Sequence, residues 1–208
     1  MRKGRPRNFC VEDSLDLAMD VFWRKGYEGA SLADLTAAMN INSPSLYACF
    51  GSKEGLFRAV LDRYEEGRKG FLAEVLDAPT ARSSATLFLN GVVDMATDPN
   101  SHPPGCLLLQ SGLAGDDQVI PKELARHRAE KELALRERFE CAKREGDLPK
   151  TADAAALARY LVTVANGLCV QASSGASAKE LKIVADLALG SFPGADVKPV
   201  KKKRLVTS

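Results

Sequence analysis

Apolar residues recur at helical spacing along nearly the whole chain, and this periodicity limits the possible folds more than any other feature. Leu15, Ala18, Met19 and Phe22 fall at i, i+3, i+4 and i+7, and Phe57, Val60, Leu61 and Tyr64 repeat the pattern. No Val- and Ile-rich alternating segment competes with it, so the sequence predicts an all-α fold. At 208 residues, 45% of them hydrophobic, the chain is long enough to bury a real core.

The stops and starts between helices are closely spaced at the N-terminal end. A first helix is expected from about Val11 to Lys25, ending at Gly26. Ser31 then caps a second, with Asp34 three residues on as an imperfect capping box and Leu32, Leu35 and Met39 facing inward. Asn40 ends it, and Ile41 and Asn42 form a turn. Ser43 reads as the next cap, with Pro44 at the first helical position, and Gly51 closes the helix after Phe50. Ser52 caps a fourth helix, which starts near Lys53 and runs towards Leu76. Isolated helices shorter than roughly 12 residues are marginal in water, so the segment from Pro44 to Phe50 must be held by its neighbours in order to present something.

Two short helices joined by a tight turn and backed by a longer one make a helix-turn-helix unit, whose second short helix is of the size that enters a DNA major groove. Leu46 and Phe50, one turn apart, would anchor that helix. Ser43, Pro44, Ser45, Tyr47 and Ala48 would then face outward, where small and hydroxyl side chains approach base edges and Tyr47 reaches a phosphate. Lys53 lies in the first turn of the fourth helix, where free N–H groups and the positive helix end favour an anion.

The charge distribution points to the same partner. The net charge is only +2, but all 27 acidic residues lie between positions 8 and 197 with 20 of the 29 basic ones, so this body is net negative. The remaining basic residues sit at the two ends. Arg2, Lys3, Arg5 and Arg7 form a short N-terminal arm of the kind that meets nucleic-acid phosphates, and a Lys-rich tail follows position 197. The tail reads as a solvated terminus as readily as a second contact.

The run LAMDVFWRKGYEGASLADLTAAMNINSPSLYACFGSKEGLF, preceded by GRPR, resembles the DNA-binding domain of the TetR/AcrR family of one-component transcriptional repressors over about the first 60 residues. Gly26 and Tyr27 sit at the family's helix-end step, Ser31 at its Ser/Thr position, and Ser45-Leu46-Tyr47 with Phe50 and Lys53 at its signature. The resemblance implies phosphate contacts from Ser31, Tyr47 and Lys53, and Ser43, Pro44 and Ser45 lying against the bases. Cys49 stands where the family often has Tyr or His.

The second half carries pattern rather than motif. DAPTARSS reads as a break, Thr86 to Thr97 as a helix with Phe88, Val92 and Met95 on one face, and Cys106 to Ala114 as a short apolar helix. A charged helix with one solvated face follows from Lys122 to Arg144 and stops at Gly146 to Pro149. Ala152 to Gln171 is apolar on nearly all sides, and Lys179 to Phe192 carries Leu181, Val184, Ala185, Ala188 and Leu189 at helical spacing. A helix apolar all round needs a second covering surface, supplied either by the chain itself or by a partner subunit.

In the family the two terminal helices pair with their twins, which here implies a homodimer interface drawn from Ala158, Leu161, Ala165, Leu168, Leu181, Val184 and Ala188, with Gly167 permitting close approach. The resemblance also implies a small-molecule effector bound among the middle helices. Met95, Cys106, Leu109, Gln110, Phe139 and Asn166 are the candidate lining, each of a type that also occurs as plain core. PPGCLLLQ, positions 103 to 110, resembles a segment of one subgroup of these regulators.

Other functions leave no trace. There is no GxSxG, HExxH or P-loop sequence, and His102 and His127 are the only histidines, so the chain does not read as an enzyme. No cofactor or metal site is expected. No window approaches roughly 18 uninterrupted apolar residues and no secretory signal begins the chain, which makes the cytoplasm the expected location. Five scattered cysteines suggest neither a disulfide framework nor a zinc site. An alternative of the same fold is a thiol-redox or metal-responsive repressor acting through Cys106, four residues after His102.

The expected organisation is therefore a helix-turn-helix domain with its basic arm over residues 1–52, a helical effector-binding and dimerisation domain over 53–193, and a basic tail over 194–208. It would act on a palindromic double-stranded operator, released by an effector that the sequence does not name.

Overall fold

The computed structural model describes residues 11–99, 102–111 and 119–193, and every regular element among them is an α-helix. In chain order these are α1 (Val11–Gly29), α2 (Leu32–Ala38), α3 (Ser43–Phe50), α4 (Lys53–Leu76), α5 (Ala81–Thr97), α6 (Leu107–Gln110), α7 (Val119–Glu145), α8 (Ala154–Ser173) and α9 (Ala178–Gly190). The basic arm with Arg5 and Arg7, and the tail from 194 to 208, lie outside the described residues.

Two apolar clusters organise the molecule. The first joins α1 to α3 with the N-terminal half of α4, and around Phe22, Leu35, Leu46 and Phe57 no solvent reaches it. Leu107, Leu108, Ile120 and Leu124 belong to this same cluster, so α6 and the start of α7 pack beneath the helix-turn-helix unit. The second lies between α5, α7, α8 and α9, centred on Leu89, Leu135, Phe139 and Leu161. Helix α4 spans both, contributing Leu56, Phe57, Val60, Leu61 and Tyr64 to the first and Val75 to the second.

Several helix ends depart from the sequence expectation, each for a local reason. Gly26 does interrupt α1, at φ 70°, but a further turn of helix continues to Gly29. The cap of α3 is Asn42 rather than Ser43: its side-chain oxygen accepts the Ser45 N–H at 2.9 Å, which leaves the Ser43 hydroxyl free to face outward. Helix α5 begins five residues before Thr86, because Thr80 and Ser83 form a reciprocal cap and the Asp147 carboxylate accepts the Ala81 N–H at 2.6 Å. What reads as a long break in DAPTARSS is thus only the step from Asp77 to Thr80.

Most of the residues expected at a dimer interface are covered by the chain itself. Ala158, Leu161, Ala165, Leu168, Leu181 and Ala188 are all buried within the chain's own second cluster, against α5 and α7. Of the seven, only Val184 is exposed, at 49%. The small residues Ala158 and Ala165 therefore admit neighbouring helices of the same chain. By length and composition α8 is the one helix among the described residues apolar enough to cross a membrane, and here it occupies the place of a core helix.

Candidate functional site

The helix-turn-helix is held by backbone devices at each step. Ser31 caps α2, its hydroxyl accepting the Asp34 N–H at 3.1 Å and donating to the Asp34 carboxylate at 2.7 Å, while Lys25 closes on the same carboxylate at 2.6 Å. These bonds, from Lys25 first and Ser31 second, hold Asp34 down at about 2. Asn40 turns the chain at φ 51°, a left-handed conformation that Asn tolerates, and the Ile41 N–H returns to the Thr36 carbonyl at 3.0 Å. After α3, Gly51 at φ 74° reverses the chain, and the Ser52 hydroxyl accepts the Gly55 N–H at 2.9 Å to begin α4.

This arrangement sorts the α3 side chains as expected. Leu46 is fully buried and Phe50 packs against the first cluster, whereas Ser43, Pro44, Tyr47, Ala48 and Cys49 are exposed and Ser45 half-buried. The Tyr47 ring is 48% exposed and stands clear of the fold. Lys53 rests its ammonium 4.5 Å above the Tyr27 ring, which is itself packed on Phe57, so the cation is held beside the end of α3. Partial burial pulls the Lys53 pKa down, and the Glu28 carboxylate opposes the shift. Ser31 is exposed, but its proton is committed to Asp34.

Behind this surface lies a cavity of about 130 Å³ between α4, α5, α6 and α8. Roughly this much space holds one benzene-sized molecule. Met95, Cys106, Leu109 and Asn166, all anticipated from sequence, line it beside Phe71, Phe88 and Val92. Two of the anticipated residues do not. Phe139 is fully buried in the second cluster against Phe192, ring centres 5.4 Å apart, and Gln110 turns its amide to the Pro104 carbonyl at 3.2 Å. The sequence reading missed the polar wall: Tyr64, with the Arg68 guanidinium 3.6 Å above its ring, the Glu65–Lys131 ion pair at 3.2 Å, and Cys169 on α8. No spacing could have revealed them, since Tyr64 and Cys169 read as ordinary apolar-face positions of two different helices.

One wall of the cavity is also a support of the helix-turn-helix. The His102 imidazole meets the Asp20 carboxylate at 3.0 Å and stacks on Trp23, centres 5.0 Å apart, so it is engaged by α1. Gly105 donates its N–H to the Ala96 carbonyl at 2.9 Å, and a Cβ there would lie 3.1 Å from the Cys169 carbonyl. Leu107 and Leu108 are buried under α1, and the Gln110 carbonyl sits against the Gly26 break. Among the described residues no group of three or more His, Cys, Asp or Glu side chains could hold a metal ion.

Residues 15–60 match the family described as bacterial regulatory proteins, tetR family. The chain is 34% identical over 196 residues, 92% of each protein, to the HTH-type transcriptional repressor ComR of Escherichia coli (strain K12). It is 35% identical over 118 residues, 56% of this chain and 59% of the relative, to the HTH-type transcriptional repressor BdcR of the same organism. Among solved structures, a cysteine mutant of the regulator CifR, complexed with a 26-base-pair double-strand operator DNA, superimposes with a TM-score of 0.86 at 42% identity, covering 91% of this chain and 100% of that one.

Proposed function

The chain belongs to the TetR family of bacterial DNA-binding transcriptional regulators, and we propose that it is a homodimeric repressor whose operator binding is relieved by a small, largely apolar molecule in the cavity behind α4. The observation that carries the DNA half is the geometry of α3: a two-turn helix anchored by Leu46, presenting Ser43, Pro44, Ser45 and Tyr47 outward, with the Lys53 cation fixed beside its end. In this reading Ser43, Pro44 and Ser45 meet base edges, Tyr47 and Lys53 meet phosphates, and the arm with Arg5 and Arg7 adds further phosphate contact. Ser31 contributes only where its hydroxyl is released from the Asp34 carboxylate.

Dimerisation is supported by an apolar stripe the monomer leaves uncovered. Tyr160 and Val170 on α8 and Ile183, Val184 and Leu187 on α9 are exposed, Leu187 at 73%. Pairing this face with its twin would place two α3 helices on half-sites roughly 34 Å apart, or a multiple of that spacing. With the domain division placed at about residue 52, the first cluster extends past it into α4, α6 and α7, so the proposed reading and sensing units share apolar core.

The test is binding to a footprinted genomic operator across a salt series. Lys53→Ala should weaken binding to all sequences and make the salt slope shallower by about one unit, whereas Ser45→Tyr should change base preference with the slope nearly intact. Unchanged affinity and slope in Lys53→Ala, together with unchanged preference in Ser45→Tyr, would refute the assignment of α3 as the reading helix.

A further inference from the structure

Cys106 and Cys169 come from distant parts of the sequence to the same wall of the cavity, and both are free thiols. Both side chains face the same cavity wall, and the Cys106 sulfur is 3.2 Å from the Tyr64 hydroxyl. The backbone agrees, since Gly105 lies directly against the Cys169 carbonyl. The two cysteines are held differently. Cys169 sits within the 20-residue α8, whereas Cys106 precedes the four-residue α6 and makes no side-chain cap to it. Cys106 also packs against both apolar clusters, the position from which movement on the sensing side reaches the reading side.

We propose that Cys106 and Cys169 form a dithiol switch, which an organic hydroperoxide entering the cavity converts to an intrachain disulfide, displacing segment 102–110 from α1 and weakening operator binding. This rests on the reading of the cavity as the sensing site and names the chemistry of its effector. The apolar walls Phe71, Phe88 and Val92 favour a hydroperoxide with a hydrocarbon substituent over a fully hydrated oxidant.

Each thiol has a distinct part. Hydrogen bonds from Cys169 and Tyr64, with the Lys131 charge and the Leu109 N–H, pull the Cys106 thiol well below its ordinary range against the opposing effect of burial. The same contact and burial push Cys169 up, so it stays protonated, and burial keeps Tyr64 a phenol able to donate. The Cys106 thiolate attacks the terminal oxygen of the hydroperoxide. An S–O bond forms, the O–O bond breaks, and the departing alkoxide takes a proton from solvent to leave as the alcohol. The Cys169 sulfur then attacks the Cys106 sulfur, forming the S–S bond and expelling hydroxide, which leaves as water with the Cys169 proton. In total two thiols lose two electrons, and the hydroperoxide is reduced to alcohol and water.

Bond formation must draw the two sulfurs together to about 2.05 Å. With Cys169 fixed in α8, the movement falls on Cys106 and on the segment that holds His102 to Asp20 and the Gln110 carbonyl to Gly26.

The experiment uses the full chain with Cys10, Cys49 and Cys141 replaced by Ser, and tert-butyl hydroperoxide, an oxidant of about benzene's size, as the probe. The expected result is a loss of two hydrogens per chain, a cross-linked Cys106–Cys169 peptide, and about tenfold weaker operator binding, all reversed by dithiothreitol. Cys169→Ala should instead accumulate a sulfenic acid at Cys106 that dimedone captures, and Cys106→Ser should be inert while melting like the parent chain. Should either variant misfold, the cross-linked peptide from the parent chain decides the point. Absence of that peptide, with Cys106 passing directly to sulfinic acid, overturns the proposal, as does a disulfide that leaves operator affinity unchanged. The reduced chain separates the two readings: if it binds operator but does not cross-link, only the dithiol proposal falls. If it does not bind, the repressor reading falls, and the mass spectrum still decides the disulfide chemistry.

Discussion

Replacing Asn42 by Ala tests how an eight-residue helix is kept in place. The Asn42 side chain satisfies the Ser45 N–H at 2.9 Å, one of the orphan donors at the start of α3, whereas the neighbouring Ser43 hydroxyl caps nothing. Removing an Asn cap costs about 1 kcal/mol. In a helix too short to stand alone, that loss appears mainly as local opening, and about 1 kcal/mol corresponds to roughly fivefold more of the open form. Hydrogen exchange of the α3 amides, measured on free protein, should therefore accelerate about fivefold in Asn42→Ala and remain near the parent rate in Ser43→Ala. The α8 amides should be unchanged in both. Equal acceleration in the two variants, or acceleration in Ser43→Ala alone, would refute the assignment of the cap and with it the account of why Ser43 is free to face outward.

Other outcomes follow from particular contacts. Leu187→Glu should keep the fold and, if α8 and α9 pair with their twins, give particles of the 22.4 kDa chain mass in light scattering, whereas Ala165→Glu should unfold the chain because that position is buried within the monomer. Gly55→Ala should disorder the junction of α3 and α4, because a Cβ there would meet the Phe50 carbonyl oxygen at 2.0 Å; loss of operator binding at a melting temperature only modestly lowered is the expected signature. The Asp34 carboxyl is held at about 2 in the folded chain, below its ordinary value of 3.8, so its contribution to stability is complete above about pH 4 and is lost as pH falls towards 2. Asp34→Asn should flatten that part of the acid-unfolding curve; an unaltered curve would show the Lys25 and Ser31 bonds to be immaterial.

The helix-turn-helix was legible because its signals are local. Ser31 with Asp34, Asn40, Gly51 and Ser52 act within a turn or two of themselves, and the structure shows each at the step where the sequence puts it. The cap of α3 was misplaced by one residue because Asn42 and Ser43 are both good capping types, and only the backbone conformation chooses between them. The misreadings in the second half have a different origin. Periodicity reports that Leu161 and Leu181 lie on an apolar face, but not whether that face meets its own chain or another, and α8 carries apolar residues on both sides. Phe139 failed as a lining residue for the same reason, since an apolar side chain in a core and one in a cavity wall are identical in sequence. The Cys106–Cys169 pair was invisible because it depends on the packing of the 102–110 segment against α8, which no local pattern encodes.

Helix α4 begins at the end of α3 and runs unbroken past the cavity, with Tyr64 and Phe71 on the cavity wall. At 24 residues it is about 36 Å long. It can therefore act as a lever: Phe71 lies about 27 Å along the helix from Lys53, so a tilt of about 5° at Phe71 would carry the α3 end through about 2 Å. Because Gly55 nests against the Phe50 carbonyl, α3 has no slack with which to absorb that travel and must swing with the lever. A displacement of this size is most of a hydrogen-bond length, enough in the proposed complex to lift Ser45 from a base edge. On the proposed reading an effector in the cavity would need no large rearrangement around it, because the length of one helix supplies the gain.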